Sequence, residues 1–379
     1  MTIKLQGVII PTTPLQAANA LRPDARFDYT TGHPTFGSEG MPMTSAMTKG
    51  ILLPGDDTVD HVPYYPANGL RGRLRRHAAD HIFAEISARD EHVKLDTHDG
   101  MRAGNFRGRP DNTPTTLTEL RELAPHFFMG TFGGGPRTLP SKLITHDLDP
   151  IYPRTIELGT VPARFQERAW LGDVRNMIGY FGCIRRDDTT LVANLSSLDC
   201  VADALNALND RQDDLAKARN KRKGAKKAQL AGETVADASD LKKDDLANMF
   251  AYQVMRAGVP LYLEIGFSSD PTPAQVGLIL EALVSLFNEN ALGGSIGKGC
   301  GRFHGHANLV VDGQDLGPVL QLAQATSWSV DPGYVLTDLA DEYTEAKDEA
   351  LLLTTAADLD RFFVYKEPAG PLSPTEEAA

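Results

Sequence analysis

The alternation of apolar and polar residues predicts strands near the start of the chain and in its last third. Residues 3–10, IKLQGVII, are rich in β-branched side chains and alternate weakly, which favours a strand that the following PTTP segment ends. The segment GVPLYLEIGF at 258–267 predicts a second strand, and HANLVV at 306–311 predicts a third.

Helical spacing of apolar residues predicts two helices. Residues 272–290 have the clearer pattern, with Thr272 at the start and Pro273 in the first turn. An earlier helix is predicted with Asn68 as its N-cap. Its apolar face comprises Leu70, Leu74, Ala78 and Ile82, which are spaced by four residues.

Other parts of the chain lack regular periodicity. Residues 20–60 predict a long loop or a β-hairpin excursion, and residues 87–118 are polar and irregular. Residues 198–250 are highly charged and are predicted to be helical, and residues 368–379 resemble a frayed tail. Within the charged segment, RNKRKGAKK at 219–227 carries six bases and no acid. It is either a solvated or disordered loop between two helices or a helical arm that contacts phosphates.

The charge of the chain is unevenly distributed. Its formal net charge is −12, which by itself disfavours a nucleic-acid ligand. Residues 334–379, however, hold 11 acidic and 3 basic residues, so eight of the twelve excess negative charges lie in this segment. The rest of the chain is close to neutral and contains basic clusters, and the local potential governs contact with phosphate.

Composition also bounds the cellular setting. The three cysteines, Cys183, Cys200 and Cys300, are far apart and odd in number, which disfavours a disulfide framework or a cysteine zinc site. No apolar run approaches the ~18 residues that a membrane span needs, and the N-terminal residues do not match a signal peptide. We therefore expect a cytoplasmic protein without a membrane partner.

The segment ALGGSIGKGCGRFHGHANLVV at 291–311 contains six glycines and one lysine, Lys298. A nucleotide-binding P-loop requires a glycine where Leu292 stands and a hydroxyl residue where Gly299 stands. P-loops also run from strand to helix, whereas this loop is predicted to run from helix to strand, so a P-loop is disfavoured. The remaining interpretations are a flexible turn and a loop whose amides, together with Lys298 and Arg302, bind an anion.

The segment PANGLRGRLRRHA at 66–78 carries four arginines at the start of the earlier helix and no acid before Asp80. The arginines are Arg71, Arg73, Arg75 and Arg76. One interpretation is the solvated face of an amphipathic helix. The other is a phosphate contact, because cations repel the positive end of the helix dipole and a bound anion relieves that repulsion.

These residues resemble the backbone subunits of the RAMP superfamily (repeat-associated mysterious proteins) of CRISPR systems. The positions that match the family's first-helix motif are Pro66, Gly69, Leu70, Arg71, Gly72, Leu74 and Arg75. Arg73 departs from the usual small residue of that motif. FMGTFGGG, followed by the segment from Ser141 to Asp147, resembles the family's FG element and serine-bearing strand. Residues 258–311 resemble the family's late strand, helix, glycine-rich loop and strand.

The resemblance implies an α+β fold with a ferredoxin-like palm, related to the RRM fold, in one elaborated domain. The palm would take residues 1–15, 61–90, 118–150 and 258–330. Residues 16–60 would form a finger-like insertion, residues 151–257 a thumb or helical insertion, and residues 331–379 an acidic C-terminal segment.

Chain length and the charged insert are most similar to type IV backbone subunits, with the type I and type III subunits as near relatives. The resemblance implies a non-catalytic subunit, without cofactor or metal, that binds guide RNA (crRNA) and polymerises head-to-tail into a helical filament. Target nucleic acid would pair with the guide, and other CRISPR effector subunits would complete the ribonucleoprotein. The predicted RNA-binding residues are Asn68, Gly69, Arg71, Arg73, Arg75, Arg76, Gly293, Gly294, Ser295, Lys298, Arg302 and His304.

Acidic residues bear on whether the chain cuts RNA. Type III relatives carry an aspartate after the first strand that supports target-RNA cleavage. Asp24 and Asp28 lie in the comparable segment, but neither has a matching context, so no such role is transferred. Asp56, Asp57 and Asp60 predict a polar turn more readily than a metal site.

Two histidine pairs bear on an alternative function, a RAMP-type endoribonuclease that processes the guide precursor. His304 and His306 are predicted to share one face of a strand, and His77 and His81 one face of the arginine-rich helix. His304 or His77 would be the general acid–base residue of such an enzyme. A histidine pair without a carboxylate partner is more often structural or in contact with RNA. The pair at 77 and 81 also lacks the glutamate of an HExxH metalloprotease.

Overall fold

The computed structural model describes residues 1–19, 25–28, 33–36, 41–53, 55, 59–104, 117–134, 139–186, 247–323 and 333–363. The chain divides into two compact units. The larger unit contains Met1–Asn19, Ser45–Gly179 and Gln253–Ala379, and the smaller contains Ala20–Thr44 and Tyr180–Tyr252. Helices and antiparallel strands are both present, which confirms the α+β class.

The described residues form strands, α-helices and short 3₁₀ turns. The strands are β1 (Ile3–Pro11), β2 (Ala18–Asn19), β3 (Ala25–Asp28), β4 (His33–Phe36), β5 (Met41–Ala46), β6 (Thr48–Ile51), β7 (Asp60–Pro63), β8 (Leu143–Thr145), β9 (Asp149–Pro150), β10 (Ile178–Arg186), β11 (Ala247–Met255), β12 (Leu261–Phe267), β13 (Phe303–Val311), β14 (Gln314–Leu322) and β15 (Tyr334–Leu336). The α-helices are α1 (Ala67–Ala88), α2 (Leu95–Ala103), α3 (Leu117–Leu123), α4 (Met129–Phe132), α5 (Pro153–Glu157), α6 (Pro273–Glu289), α7 (Asp341–Leu352) and α8 (Ala356–Phe363). The 3₁₀ turns cover Ala163–Arg168, Val174–Met177, Ile296–Lys298 and Asp338–Ala340.

The larger unit is built on an antiparallel sheet with the strand order β15-β14-β13-β1-β12-β8, and β9 also pairs with β12. β1 lies between β13 and β12, so that Leu5 stands opposite Leu309 on one side and Ile265 on the other. In chain order, α1 lies between β1 and β8, and α6 lies between β12 and β13. The four strands β1, β8, β12 and β13 and these two helices therefore follow a β-α-β-β-α-β order.

One face of this sheet packs against α1 and α6. Ile3, Leu5 and Ile9 of β1 alternate with residues that point to the opposite face, and they are buried in the same core as Leu70 and Leu74 of α1. Because side chains alternate along a strand and recur every three or four residues on a helix, the apolar sides of both elements meet. The predicted strand at 3–10 and the two predicted helices are thereby confirmed, and α6 begins with the expected Thr272 N-cap.

The opposite face of the sheet is covered at its centre by residues 151–169. Val8 and Tyr262 are buried there against Ile151 and Val161. The ring of Phe165 lies 5.1 Å from the ring of Tyr262. Bases stack on the exposed sheet face of an RRM, and these apolar contacts exclude that mode of binding at the centre of this sheet.

Strands of the smaller unit belong to a second sheet, whose order is β10-β11-β5-β3-β4. β3 and β4 form an antiparallel hairpin, which confirms the hairpin interpretation of residues 20–60. Because β11 is a strand, the helical prediction for residues 198–250 is wrong at its C-terminal end. The basic segment 219–227 and the predicted tail at 368–379 lie outside the described residues.

The start of α1 differs from the prediction. Its N-cap is Pro66, and Asn68 lies exposed inside the first turn. The main-chain N–H of Ala67 donates to Asp147 Oδ1 at 2.8 Å, so a residue 80 positions further along the chain caps the helix. The predicted N-cap was wrong because folding brings the Asp147 carboxylate to the start of the helix, where it takes the place of a local capping side chain.

The expected domain boundaries relate to the two units in different ways. All the expected palm segments lie in the larger unit. The expected finger, 16–60, and the expected thumb, 151–257, are each divided between the two units. Residues 87–118, predicted to be irregular, contain the helix α2.

Candidate nucleic-acid interface

The arginine-rich start of α1 and the glycine-rich loop at 291–302 lie side by side in the larger unit. Buried Tyr65 lies between them: burial raises the pKa of its hydroxyl, and the adjacent main chain of Gly293 opposes that shift. On the other side, a Cβ at Gly69 would stand only 2.9 Å from the same Tyr65 oxygen. Two motifs that are more than 200 residues apart in the chain therefore form one surface.

Two predicted RNA-binding arginines are bound to the C-terminal end of α6. Arg73 Nη2 lies 2.5 Å from Glu289 Oε2 and donates to the carbonyl of Ala291 at 3.3 Å. Arg302 Nη1 donates to the carbonyl of Glu289 at 3.1 Å. The last carbonyls of a helix lack partners within the helix and carry partial negative charge, so they attract cations. Arg73 and Arg302 thus attach the glycine-rich loop and α1 to the end of α6.

Arg75 corrects the prediction most clearly. Its side chain is buried, with 9 % of its surface exposed, and Nη2 donates to the carbonyls of Phe132 at 2.6 Å and Gly133 at 2.9 Å. Burial, followed by the charge of Arg71, lowers the pKa of Arg75 to about 10, so the side chain is still a cation at pH 7. Because each helical residue is rotated by 100° from the last, Arg75 points into the protein and does not face an RNA ligand.

The other two arginines of α1, Arg71 and Arg76, are partly exposed. Arg71 Nη2 donates to the side-chain oxygen of Asn68 at 3.2 Å. Arg76 is half-buried, and no described residue forms a hydrogen bond or ion pair with it. Burial, followed by the charge of Arg73, lowers the pKa of Arg76. The four arginines therefore do not form one solvated face.

The glycine-rich loop is anchored at both ends. The N–H of Gly294 donates to the carbonyl of Gln16 at 2.9 Å, and the N–H of Leu292 donates to the carbonyl of Gly301 at 2.9 Å. Between the anchors, Ser295 (φ 56°) and Gly299 (φ 83°) take left-handed conformations at either end of the 3₁₀ turn. The exposed residues of the loop are Gly294, Gly297, Lys298, Gly299 and Arg302, of which Gly297 to Gly299 form a continuous run.

The predicted histidines occupy separate places. His304 and His306 stand opposite Ile10 and Val8, so they lie on the face of the sheet away from α1. His304 is exposed, while burial, followed by the charge of Arg168, lowers the pKa of His306. His304 is thus on a different side of the sheet from the arginines with which it was grouped.

The histidines of α1 pack against α6 and α7. His77 Nε2 lies 2.9 Å from Glu289 Oε2, and His81 Nε2 lies 3.2 Å from Lys347 Nζ. Burial is the main cause that lowers the pKa of both histidines. A carboxylate partner for His77, which the sequence did not reveal, is therefore present.

Of the predicted acidic cluster at 56–60, only Asp60 lies in the described part of the chain. Asp60 Oδ2 lies 2.9 Å from Arg154 Nε and accepts from the hydroxyl of Tyr152 at 3.2 Å. Asp24, Asp56 and Asp57 lie outside the described residues. Where the chain is described, no three His, Cys, Asp or Glu side chains are grouped as a metal site requires.

Tyr65 and Glu289 contribute to this surface, although sequence patterns did not indicate them. Tyr65 precedes α1 by two positions, and Glu289 is the last residue of α6. Both act through contacts with residues far away in the chain, and a local pattern carries no information about such contacts. Their positions at the ends of two helices are the only signal that was available.

Comparisons with known proteins are limited. No protein-family model and no characterised protein match the chain in sequence. Among solved structures, the chain is similar to a chain described as "Type IV-B CRISPR Complex", with a TM-score of 0.41 and 14 % identity, over 86 % of this chain and 97 % of that one. None of the described helices is both long and apolar enough to span a membrane.

Proposed function

We propose that this chain is a guide-RNA-binding backbone subunit of a CRISPR ribonucleoprotein and that it acts as a scaffold without catalysis. The proposal rests on one observation above all, the contact of the arginine-rich turn with the glycine-rich loop around Tyr65. Both motifs resemble those of the RAMP superfamily, and neither motif alone distinguishes RNA binding from a structural turn. Their meeting on one surface favours a shared anionic ligand.

The core supports a ferredoxin-like palm as part of this proposal. Its β-α-β-β-α-β order, with β1 between β12 and β13 in an antiparallel sheet, is the arrangement expected for that palm. The palm would place α1 and the loop after α6 next to each other, as described above.

Phosphate would bind to the outward-facing part of this surface. Arg71, Arg76 and Lys298 supply positive charge, and the exposed loop of Gly297 to Gly299 lets a backbone approach closely. Arg73 and Arg302 would act indirectly, because they hold the loop and α1 on the end of α6. Such contacts recognise the RNA backbone, so sequence would be selected by pairing between guide and target.

An RNA-binding measurement tests this proposal. We expect the purified protein to carry protected RNA when co-expressed with a guide, and to form head-to-tail multimers together with other CRISPR effector subunits. Arg71→Glu and Lys298→Glu should weaken binding of single-stranded RNA of any sequence. Each should also reduce the slope of log affinity against log salt by about 0.7. Arg175→Glu is the matched control, since Arg175 is exposed and lies in the turn at 174–177. A clean monomer that stays free of RNA in the presence of its guide would contradict the proposal.

A second candidate, the guide-processing endoribonuclease, is favoured by one contact. His77 is paired with Glu289 directly before the glycine-rich loop, which is an arrangement that could hold a general acid–base residue. Incubation with repeat RNA distinguishes the two functions. Site-specific cleavage that His77→Ala abolishes would establish the enzyme, and intact RNA in complex with the protein would favour the scaffold.

A further inference from the structure

The outward face of α1 continues beyond the arginine-rich turn. Gly69, Arg73, Arg76 and Asp80 are spaced by four, three and four residues, so they share the side of the helix opposite the buried Leu74 and Ala78 side chains. Arg73 is bound to α6 at one edge of this face. Arg76 and Asp80 lie further along the helix.

A third arginine reaches this face from α2. Arg102 Nη1 forms an ion pair with Asp80 Oδ1, and both side chains are well exposed, at 37 % and 48 %. Because Asp80 is four residues from Arg76 on the same face, Arg102 stands within about one helical turn of Arg76. Gly104, the C-cap of α2, lies directly against the buried Arg75 guanidinium, and this contact holds the end of α2 next to α1.

The charges around Arg76 are not balanced within the described part of the chain. Arg73 and Arg102 are its positive neighbours, Glu289 is an acidic neighbour, and the carboxylate of Asp80 is bound to Arg102. Glu289 is already in contact with Arg73 and His77. A half-buried guanidinium between two other cations is unfavourable unless an anion from outside compensates it. The approach is open, because a Cβ at Gly72 would meet only the end of Arg76, at 3.7 Å.

We propose that Arg76 and Arg102 form a second phosphate site, which takes a phosphodiester group of bound RNA as the strand passes from the glycine-rich loop along α1 to α2. This inference rests on the proposed function and adds Arg102 and Asp80 to it. Asp80 holds Arg102 when no RNA is present and competes with phosphate for it. The carboxylate therefore opposes binding, whereas the two arginines promote it.

The test uses the full chain and a fluorescently labelled single-stranded RNA, with affinity measured over a range of salt concentrations. Arg76→Gln and Arg102→Gln should each weaken binding about tenfold and lower the salt slope by about 0.7. Asp80→Asn should instead strengthen binding by about threefold, because the competing carboxylate is removed. In the double variant D80N/R102Q the gain should vanish.

Asp173 and Arg175 provide matched controls, because they form an exposed ion pair elsewhere in the larger unit. D173N and R175Q should leave affinity and salt slope unchanged. Thermal unfolding of each variant shows whether the fold is retained. D80N distinguishes the two roles directly. If the Asp80–Arg102 ion pair is structural, D80N should weaken RNA binding, whereas the phosphate site predicts that D80N strengthens it.

The outcomes separate this inference from the proposed function. Wild-type protein that binds no RNA overturns the proposed function. Wild-type protein that binds RNA, with R76Q, R102Q and D80N all unchanged, overturns only the second phosphate site. Weaker binding by both D80N and R102Q also overturns it, because that result identifies the pair as a structural contact.

Discussion

The two flanks of the arginine-rich turn of α1 differ completely in their surroundings. Arg75 lies on the inner flank, where its guanidinium is buried and hydrogen-bonded to the carbonyls of Phe132 and Gly133. Arg76, the next residue, lies on the outer flank and has no ion-pair or hydrogen-bond partner among the described residues. A cluster of charges in sequence is therefore not a surface patch, and burial decides which cations remain for a ligand.

The glycine-rich loop shows the same difference between buried and exposed positions. A Cβ at Gly301 would lie 1.8 Å from the carbonyl oxygen of Leu292, and Gly301 also has a φ of 81°. A Cβ at Gly297 would meet no atom within 4 Å. The glycine at the anchor is thus needed for close packing, whereas the glycine at the exposed part leaves room for something outside the protein.

The largest expected effect comes from adding a methyl group at Gly301, at the anchored end of the loop. Gly301→Ala should destabilise the protein by about 4 kcal/mol, because the methyl group overlaps the Leu292 carbonyl and the backbone is left-handed there. Chemical denaturation measures the free energy of unfolding. Gly297→Ala is the control and should change that free energy by less than about 0.5 kcal/mol. Equal effects of the two substitutions would remove the distinction between anchor and exposed loop.

A somewhat smaller effect is expected on the inner flank of α1. Arg75→Ala should lower the free energy of unfolding by about 3 kcal/mol, since two buried carbonyls lose their donor and a cavity remains. Arg76→Ala, one position further, should leave stability within about 0.5 kcal/mol. The same denaturation experiment compares them. If Arg76→Ala proves as destabilising as Arg75→Ala, Arg76 is also a structural residue and the distinction between the two flanks is wrong.

Acid should lower the free energy of unfolding through His126, which lies near the segment that binds Arg75 on the inner flank. The neutral ring of His126 accepts hydrogen bonds at Nδ1 from the N–H groups of Phe128 and Met129, both at 3.2 Å, just before the segment that binds Arg75. Burial lowers the pKa of His126 to about 4, although Asp358 opposes this shift. The unfolded chain therefore takes up the proton first as pH falls. The stability that neutral His126 contributes is complete above pH ~6.5 and is lost as pH falls toward about 4.

The size of this loss is about 2 kcal/mol at pH 5. Unfolding free energies of the wild type and of His126→Asn, measured from pH 7 to pH 5, isolate it. The asparagine keeps an acceptor but does not titrate, so its curve should be flatter by about that amount. Parallel curves would show that His126 does not carry the acid sensitivity.

Local patterns predicted a useful part of the fold. The strand at 3–10, the helix at 272–290 with its Thr272 N-cap, and the strands at 258–267 and 306–311 all appear, with small shifts at their ends. Each of these elements has strong apolar periodicity along its own length. β11 was missed because its residues adjoin a highly charged segment, and α2 was missed because it is short and polar.

The candidate site was less predictable. The glycine-rich loop and the arginine-rich turn were correctly singled out as segments, but all four arginines of the turn were assigned to one surface. Arg75 proved to be buried, and Arg73 is bound to the end of α6. His304 lies on the other face of the sheet.

The sequence by itself determined the α+β composition, the position of the main helices and strands, and the failure of the loop at 291–311 to match a P-loop. These properties depend on residue spacing within short segments, which folding leaves intact. Only the tertiary structure decided that Tyr65 joins α1 to Gly293 and that Asp147 caps α1. It also decided which arginines face outward. Such contacts join residues far apart in the chain, and their energies depend on burial and neighbouring charge, which no local pattern encodes.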